Sequence, residues 1–210
     1  MIIPQSHILT TRHLNRVFDN TVATYKYYWF LGILDECVKK GKSRINVWDI
    51  MISMVANAWY PVNYFRLSFG KSESLYDAIL TLQREYNIPI NIGINELTEL
   101  LKTLVQRREV RRMLNFLQQN VPFRFLRPWI DTSDDRQTVL RSQTFENGCL
   151  YKLERIDHIW WVEINPAWLP YLRENYDILT SFAYWGLTNF LQVRNPNVPN
   201  IPNKLIKKEE

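Results

Sequence analysis

The stretch Cys149–Pro166, "CLYKLERIDHIWWVEINP", decides the fold class of this chain. Two runs rich in β-branched and aromatic residues flank "RIDH", the pattern of two antiparallel strands joined by a tight turn. Nearly everywhere else the apolar residues recur with helical spacing. The sequence therefore predicts a mainly α (α+β) protein: a compact helical domain over residues 1–192 with one β-hairpin near 149–164.

Upstream of the hairpin lies the clearest helical pattern. From about Arg108 to Gln119, Val110, Met113, Leu114 and Leu117 follow i, i+3, i+4, i+7 spacing, and Arg107, Arg108, Arg111, Arg112 and Asn115 fall on the other side. After Val121, "VPFRFLRPWIDTSDD" carries Pro122 and Pro128 and reads as an ordered loop anchored by Phe123, Phe125 and Trp129. A helix, a basic loop and a hairpin form the order of a winged-helix reader, so the second half is expected to be winged-helix-like.

The N-terminal half reads as further helices. "TTRHLNRVFDN" is a short one, and "TVATYKYYWFLGILDECVKKG" a longer one closed by Gly41, with lysines in its last turn. Apolar and aromatic side chains surround the first half of that longer helix, which places it within the core. Asn46 with Asp49, and Ser74 with Asp77, stand at capping-box spacing. The helix after Asn46 is expected to end or bend at Pro61. Pro166 opens a short helical stretch, and a final helix runs from about Tyr176 to Leu191. In the closing segment, 193–210, Pro196, Pro199 and Pro202 favour an extended Pro/Asn-rich connector.

At 46% hydrophobic and 14% aromatic, the 210-residue chain can bury a substantial core. No apolar run reaches the roughly 18 residues of a membrane span, and "MIIPQSHILTT" lacks the form of a signal peptide. Cys37 and Cys149 are too few and too far apart for a disulfide framework. A cytoplasmic location without membrane contact is expected; oligomeric state is not legible.

The net charge of +5 is concentrated. Residues 101–145 hold nine basic against four acidic residues, and the rest of the chain balances. Eight of the nine are the candidate nucleic-acid contacts: Arg107, Arg108, Arg111, Arg112, Arg124, Arg127, Arg136 and Arg141, interleaved with Phe123, Phe125, Trp129 and Phe145. Guanidinium groups so displayed neutralise phosphates independently of sequence. A solvated or internally paired face is the bland alternative.

Catalytic signatures are weak. "SFGKS" (68–72) matches only the end of a phosphate-binding loop, since Phe65 stands where its first glycine belongs. His7, His13 and His158 show no ligand spacing. Asp131, Asp134 and Asp135 are better explained by capping and solvation than by a metal site. Neither a catalytic nor a metal-binding residue is assigned, and no cofactor is expected in this chain.

Several stretches together, "TVATYKYYWF", "NAWYPVNYFRLSFGKS", "VPFRFLRPW", "RSQTFENGCLY" and "RNPNVPNIPNKL", resemble the N-terminal region of bacterial HNH endonuclease domain-containing proteins. The resemblance implies a helix-rich part preceding a ββα-metal nuclease module that uses a divalent cation such as Mg or Zn. Past Arg194 this sequence has no histidine, so the implied hydrolase module is expected outside these 210 residues and the chain is expected to be inactive alone. It would position that module on DNA, with Arg155 and His158 of the hairpin as possible helpers. The alternative is a protein-interaction or regulatory module docking a partner, or the nuclease module itself, through the arginine face.

Overall fold

A computed structural model describes residues 2–19, 21–70 and 73–207. The described residues form ten α-helices and three strands: α1 Arg12–Asn15, α2 Tyr25–Leu34, β1 Arg44–Asn46, α3 Val47–Asn63, α4 Ser74–Glu85, α5 Ile94–Leu104, α6 Arg108–Phe125, α7 Asp135–Ser142, β2 Tyr151–Ile156, β3 Ile159–Ile164, α8 Trp168–Glu174, α9 Tyr176–Arg194 and α10 Pro202–Leu205. The protein is mainly α with a β-hairpin, as its periodicities predict. No described helix is long and apolar enough to cross a membrane.

Helix α2 lies in the middle of the core. Every residue from Tyr27 to Leu34 is buried, which is why its sequence is apolar all round. It continues into a π-helical segment, Asp35–Lys39. Gly32 lets α2 approach α3: a Cβ there would lie 2.9 Å from Ile50 Cγ2 and 3.0 Å from the Ile50 carbonyl oxygen. On its other side Tyr27 takes the space left by Gly186 of α9, where a Cβ would stand 2.6 Å from the Tyr27 ring.

The hairpin is joined by a two-residue turn, Asp157-His158, both at positive φ (47° and 66°), as a type I′ turn requires. β3 is the central strand, because the short β1 pairs antiparallel on its other edge, Ile45 opposite Val162. Tyr151, Leu153, Val162 and Ile164 turn one face of the sheet to the core.

Several local expectations need correction. α6 runs on through Pro122 to Phe125 instead of giving way to a loop at Val121. Pro122 forfeits the bond its N–H would make to the carbonyl four residues back, but its ring is buried in the core. Phe123, Phe125 and Trp129 are nevertheless buried anchors. α3 stops at Asn63, two residues past Pro61, close to where the proline was expected to end or bend it. "DTSDD" opens α7, whose cap is Asp134, accepting the Arg136 N–H at 2.8 Å. Asn46 caps α3 through the Trp48 N–H at 2.9 Å. α4, in contrast, begins after Glu73 and not with Ser74 as its cap.

The segment after α9 is not extended throughout. Pro202 starts the short α10, a position where a proline's missing donor is harmless. Ile201 and Leu205 are buried, and Val198 packs against the core. Lys208–Glu210 lie outside the described residues, as do Lys71 and Ser72 of "SFGKS".

Candidate nucleic-acid interface

The apolar stripe of α6, Val110, Leu114, Leu117 and Val121, is buried, so the helix must present its other positions outward. The structure then sorts the eight candidate arginines. Arg107 and Arg111 have partners within the fold, although Arg107 stays exposed. The Arg107 guanidinium stacks on Tyr86, 5.3 Å from the ring centroid. Arg111 is half-buried, donates from Nε to the Val105 carbonyl at 2.7 Å and lies over Trp48. Arg141 forms a two-pronged ion pair with Glu146, Nε to Oε2 at 2.8 Å and Nη2 to Oε1, which holds the Glu146 carboxyl below its ordinary value.

The other five, Arg108, Arg112, Arg124, Arg127 and Arg136, are exposed, with no side-chain partner among the described residues. Arg108 and Arg112 stand one turn apart on α6. Arg124 lies in its last turn and Arg127 just beyond, while Arg136 is in the first turn of α7. Apart from Leu140 on α7, no large apolar residue of α6 or α7 is strongly exposed. In the hairpin, the Arg155 guanidinium lies over Trp160, and His158 is exposed in the turn.

Beside Arg124 and Arg127 opens a cavity of about 580 Å³, lined also by Lys26, Arg194, Glu73, Tyr25, Phe69, Gly70 and Val22. Asn195 fixes one wall. Its amide clasps the Ser68 backbone both ways, accepting from the N–H and donating to the carbonyl, each at 2.8 Å. Gly70, at φ +117°, then passes beneath Arg194; a Cβ there would sit 3.0 Å from the arginine Nε. Arg194 is held over the Phe190 ring and donates to the Phe190 carbonyl at 3.0 Å.

Two further charged groups in this cavity, Lys26 and Glu73, are withdrawn from solvent. Lys26 donates to the Val17 carbonyl at 3.0 Å, and its pKa is lowered by burial first and then by Arg127. Glu73 is 5% exposed. Its Oε1 accepts from the Thr24 N–H at 2.6 Å and hydroxyl at 2.8 Å, while Oε2 has no partner among the described residues. Burial raises the Glu73 pKa, against the opposing pull of Thr24 and Arg194.

Sequence reasoning missed Lys26, Glu73 and Arg194. A lone lysine within the aromatic run "YKYYWF" was the available signal, because a cation on a buried helix needs a reason to be there. Elsewhere, Cys37 and Cys149 are buried thiols, and burial pushes Cys149 up to about 12, the opposite of a reactive cysteine. Comparison with protein-family models, with curated proteins and with solved structures returned no match for this chain.

Proposed function

We propose that this chain is a nucleic-acid-binding, non-catalytic domain that positions an HNH-type, metal-dependent nuclease module on DNA. The observation that carries the binding reading is the set of exposed, unpartnered arginines on and beside α6 and α7: Arg108, Arg112, Arg124, Arg127 and Arg136. Unpaired guanidinium groups on an otherwise polar face suit phosphates, whose affinity comes from displaced counterions. A docking face for a folded partner would carry more exposed apolar surface among the cations. The link to a nuclease rests on the resemblance of the five stretches quoted above.

A filter-binding titration of duplex DNA against salt tests the reading. Replacing Arg108 and Arg112 together by Ala should weaken binding uniformly across sequences and reduce the salt slope by roughly 2. Unchanged affinity and slope would overturn it, and retention of an acidic protein partner in place of DNA would favour a docking module.

A further inference from the structure

The cavity beside Gly70 gathers like charges from three distant parts of the chain. Lys26 comes from α2, Arg124 and Arg127 from the end of α6, and Arg194 from the last residue of α9. One carboxylate, Glu73, joins them, and its Oε1 is committed to Thr24. Arg124 and Arg127 have no hydrogen-bond or ion-pair partner among the described residues. Among the described residues lining this concavity, four cations accompany one acid and repel one another, and an anion entering the cavity relieves that repulsion.

We infer that this cavity is a phosphomonoester site, taking the dianionic phosphate of a nucleotide against Lys26, Arg124, Arg127 and Arg194. A monoester carries nearly two negative charges at neutral pH, against one for each backbone diester, and so matches a cluster of several cations better. At about 580 Å³ the cavity is much larger than a phosphate needs and falls in the range of small-molecule sites. Tyr25, Phe69 and Val22 line the remaining space and give an apolar surface to the organic part of the ligand. The lowered pKa of Lys26 fits the same picture, since a bound dianion would hold its proton in place. Two sources offer this chemistry, a free mononucleotide and the 5′-phosphorylated end of a strand. The inference goes beyond the proposed function, because it stands whether or not Arg108 and Arg112 bind duplex DNA.

Calorimetric titration with dAMP and with deoxyadenosine, alongside short single-stranded oligonucleotides with and without a 5′-phosphate, tests it. dAMP should bind where deoxyadenosine does not. K26M and R127M should each weaken dAMP by about tenfold, the scale of one charge-assisted contact. Arg127 is exposed, so R127M controls for any folding defect in K26M. A preference for the 5′-phosphorylated oligonucleotide assigns the strand end; dAMP binding without that preference assigns the free nucleotide. R108A/R112A lowers affinity for both oligonucleotides by the same factor, so failure of the α6 reading remains distinguishable. If neither dAMP nor the phosphorylated strand binds better than its phosphate-free counterpart, the inference is wrong.

Discussion

Trp29 donates its indole N–H to the phenol oxygen of Tyr151 at 3.1 Å, and Tyr151 in turn donates to the Pro122 carbonyl at 2.7 Å. This buried relay ties the central helix α2 to the hairpin and to the proline turn of α6. Removing the hydroxyl strands an indole donor and a carbonyl acceptor at once, in a site where water does not reach either. Y151F should therefore cost about 2 kcal/mol, the scale of a stranded buried polar group. A urea unfolding curve would register it as a lower midpoint with unchanged slope; an unmoved midpoint refutes the relay's importance.

The α2–α3 crossing sets a second expectation. A methyl group at position 32 meets Ile50 at 2.9 Å and its backbone oxygen at 3.0 Å, and the backbone atom cannot rotate away. G32A gains about 1 kcal/mol of helix propensity, but overpacking costs about 1–3 kcal/mol. The net effect should be destabilising, whereas a higher melting temperature for G32A would show that the two helices can separate freely.

Two buried glutamates pull the pH dependence in opposite directions. Burial alone would raise the Glu36 pKa, but hydrogen bonds from Lys40 and Lys42 outweigh it and the net shift is downward. Its stabilising contribution is thus present above the ordinary value of 4.5 and lost as pH falls through the folded value. Glu73, raised by burial, behaves in the reverse sense near Tyr25, Tyr28 and Arg194: its contribution is present below 4.5 and lost as pH rises toward its folded value. Thermal melts across pH 3–8 should show E36Q flattening the acid side, and E73Q gaining relative stability toward neutral pH. E73Q keeps the acceptor for Thr24, so a loss at neutral pH would count against an ionised, under-partnered carboxylate.

Neighbouring arginines on α6 should separate folding from binding. Arg111 is engaged with Val105 and Trp48, so R111M should cost about 1–2 kcal/mol, as befits a hydrogen bond from a charged donor. Arg112 is exposed without a side-chain partner, so R112M should stay within about 0.5 kcal/mol while weakening DNA binding. Melting temperature and filter binding measured on both variants would reveal the split, and identical behaviour of the two would contradict it.

The sequence carried the larger elements because apolar periodicity is a strong local signal. α6 was legible from Val110, Met113, Leu114 and Leu117, and the hairpin from its paired β-rich runs. β1 was not, since three residues next to a helix cap show no period and are extended only because β3 offers them an edge. Proline was a poor guide at residue 122, where the packing of a buried ring outweighs a lost donor. The candidate site divides along the same line. Charge density on α6 was visible, but which arginines fold back on Tyr86, Trp48 and Glu146 was not. The cavity of Lys26, Arg124, Arg127 and Arg194 has no local signature, because only the tertiary fold brings residues 26 and 194 together.

The position of β1 also governs the order of events in time. Arg44 pairs with Glu163 and Asn46 with Trp161, so the sheet's outer edge closes only after most of the intervening chain has been gathered in. Helices form from neighbours within microseconds, while so distant a pairing must wait on the slow search through loop conformations. Those three residues should close last: refolding measured at the β1–β3 edge should lag behind that of the β2–β3 hairpin and of helix content.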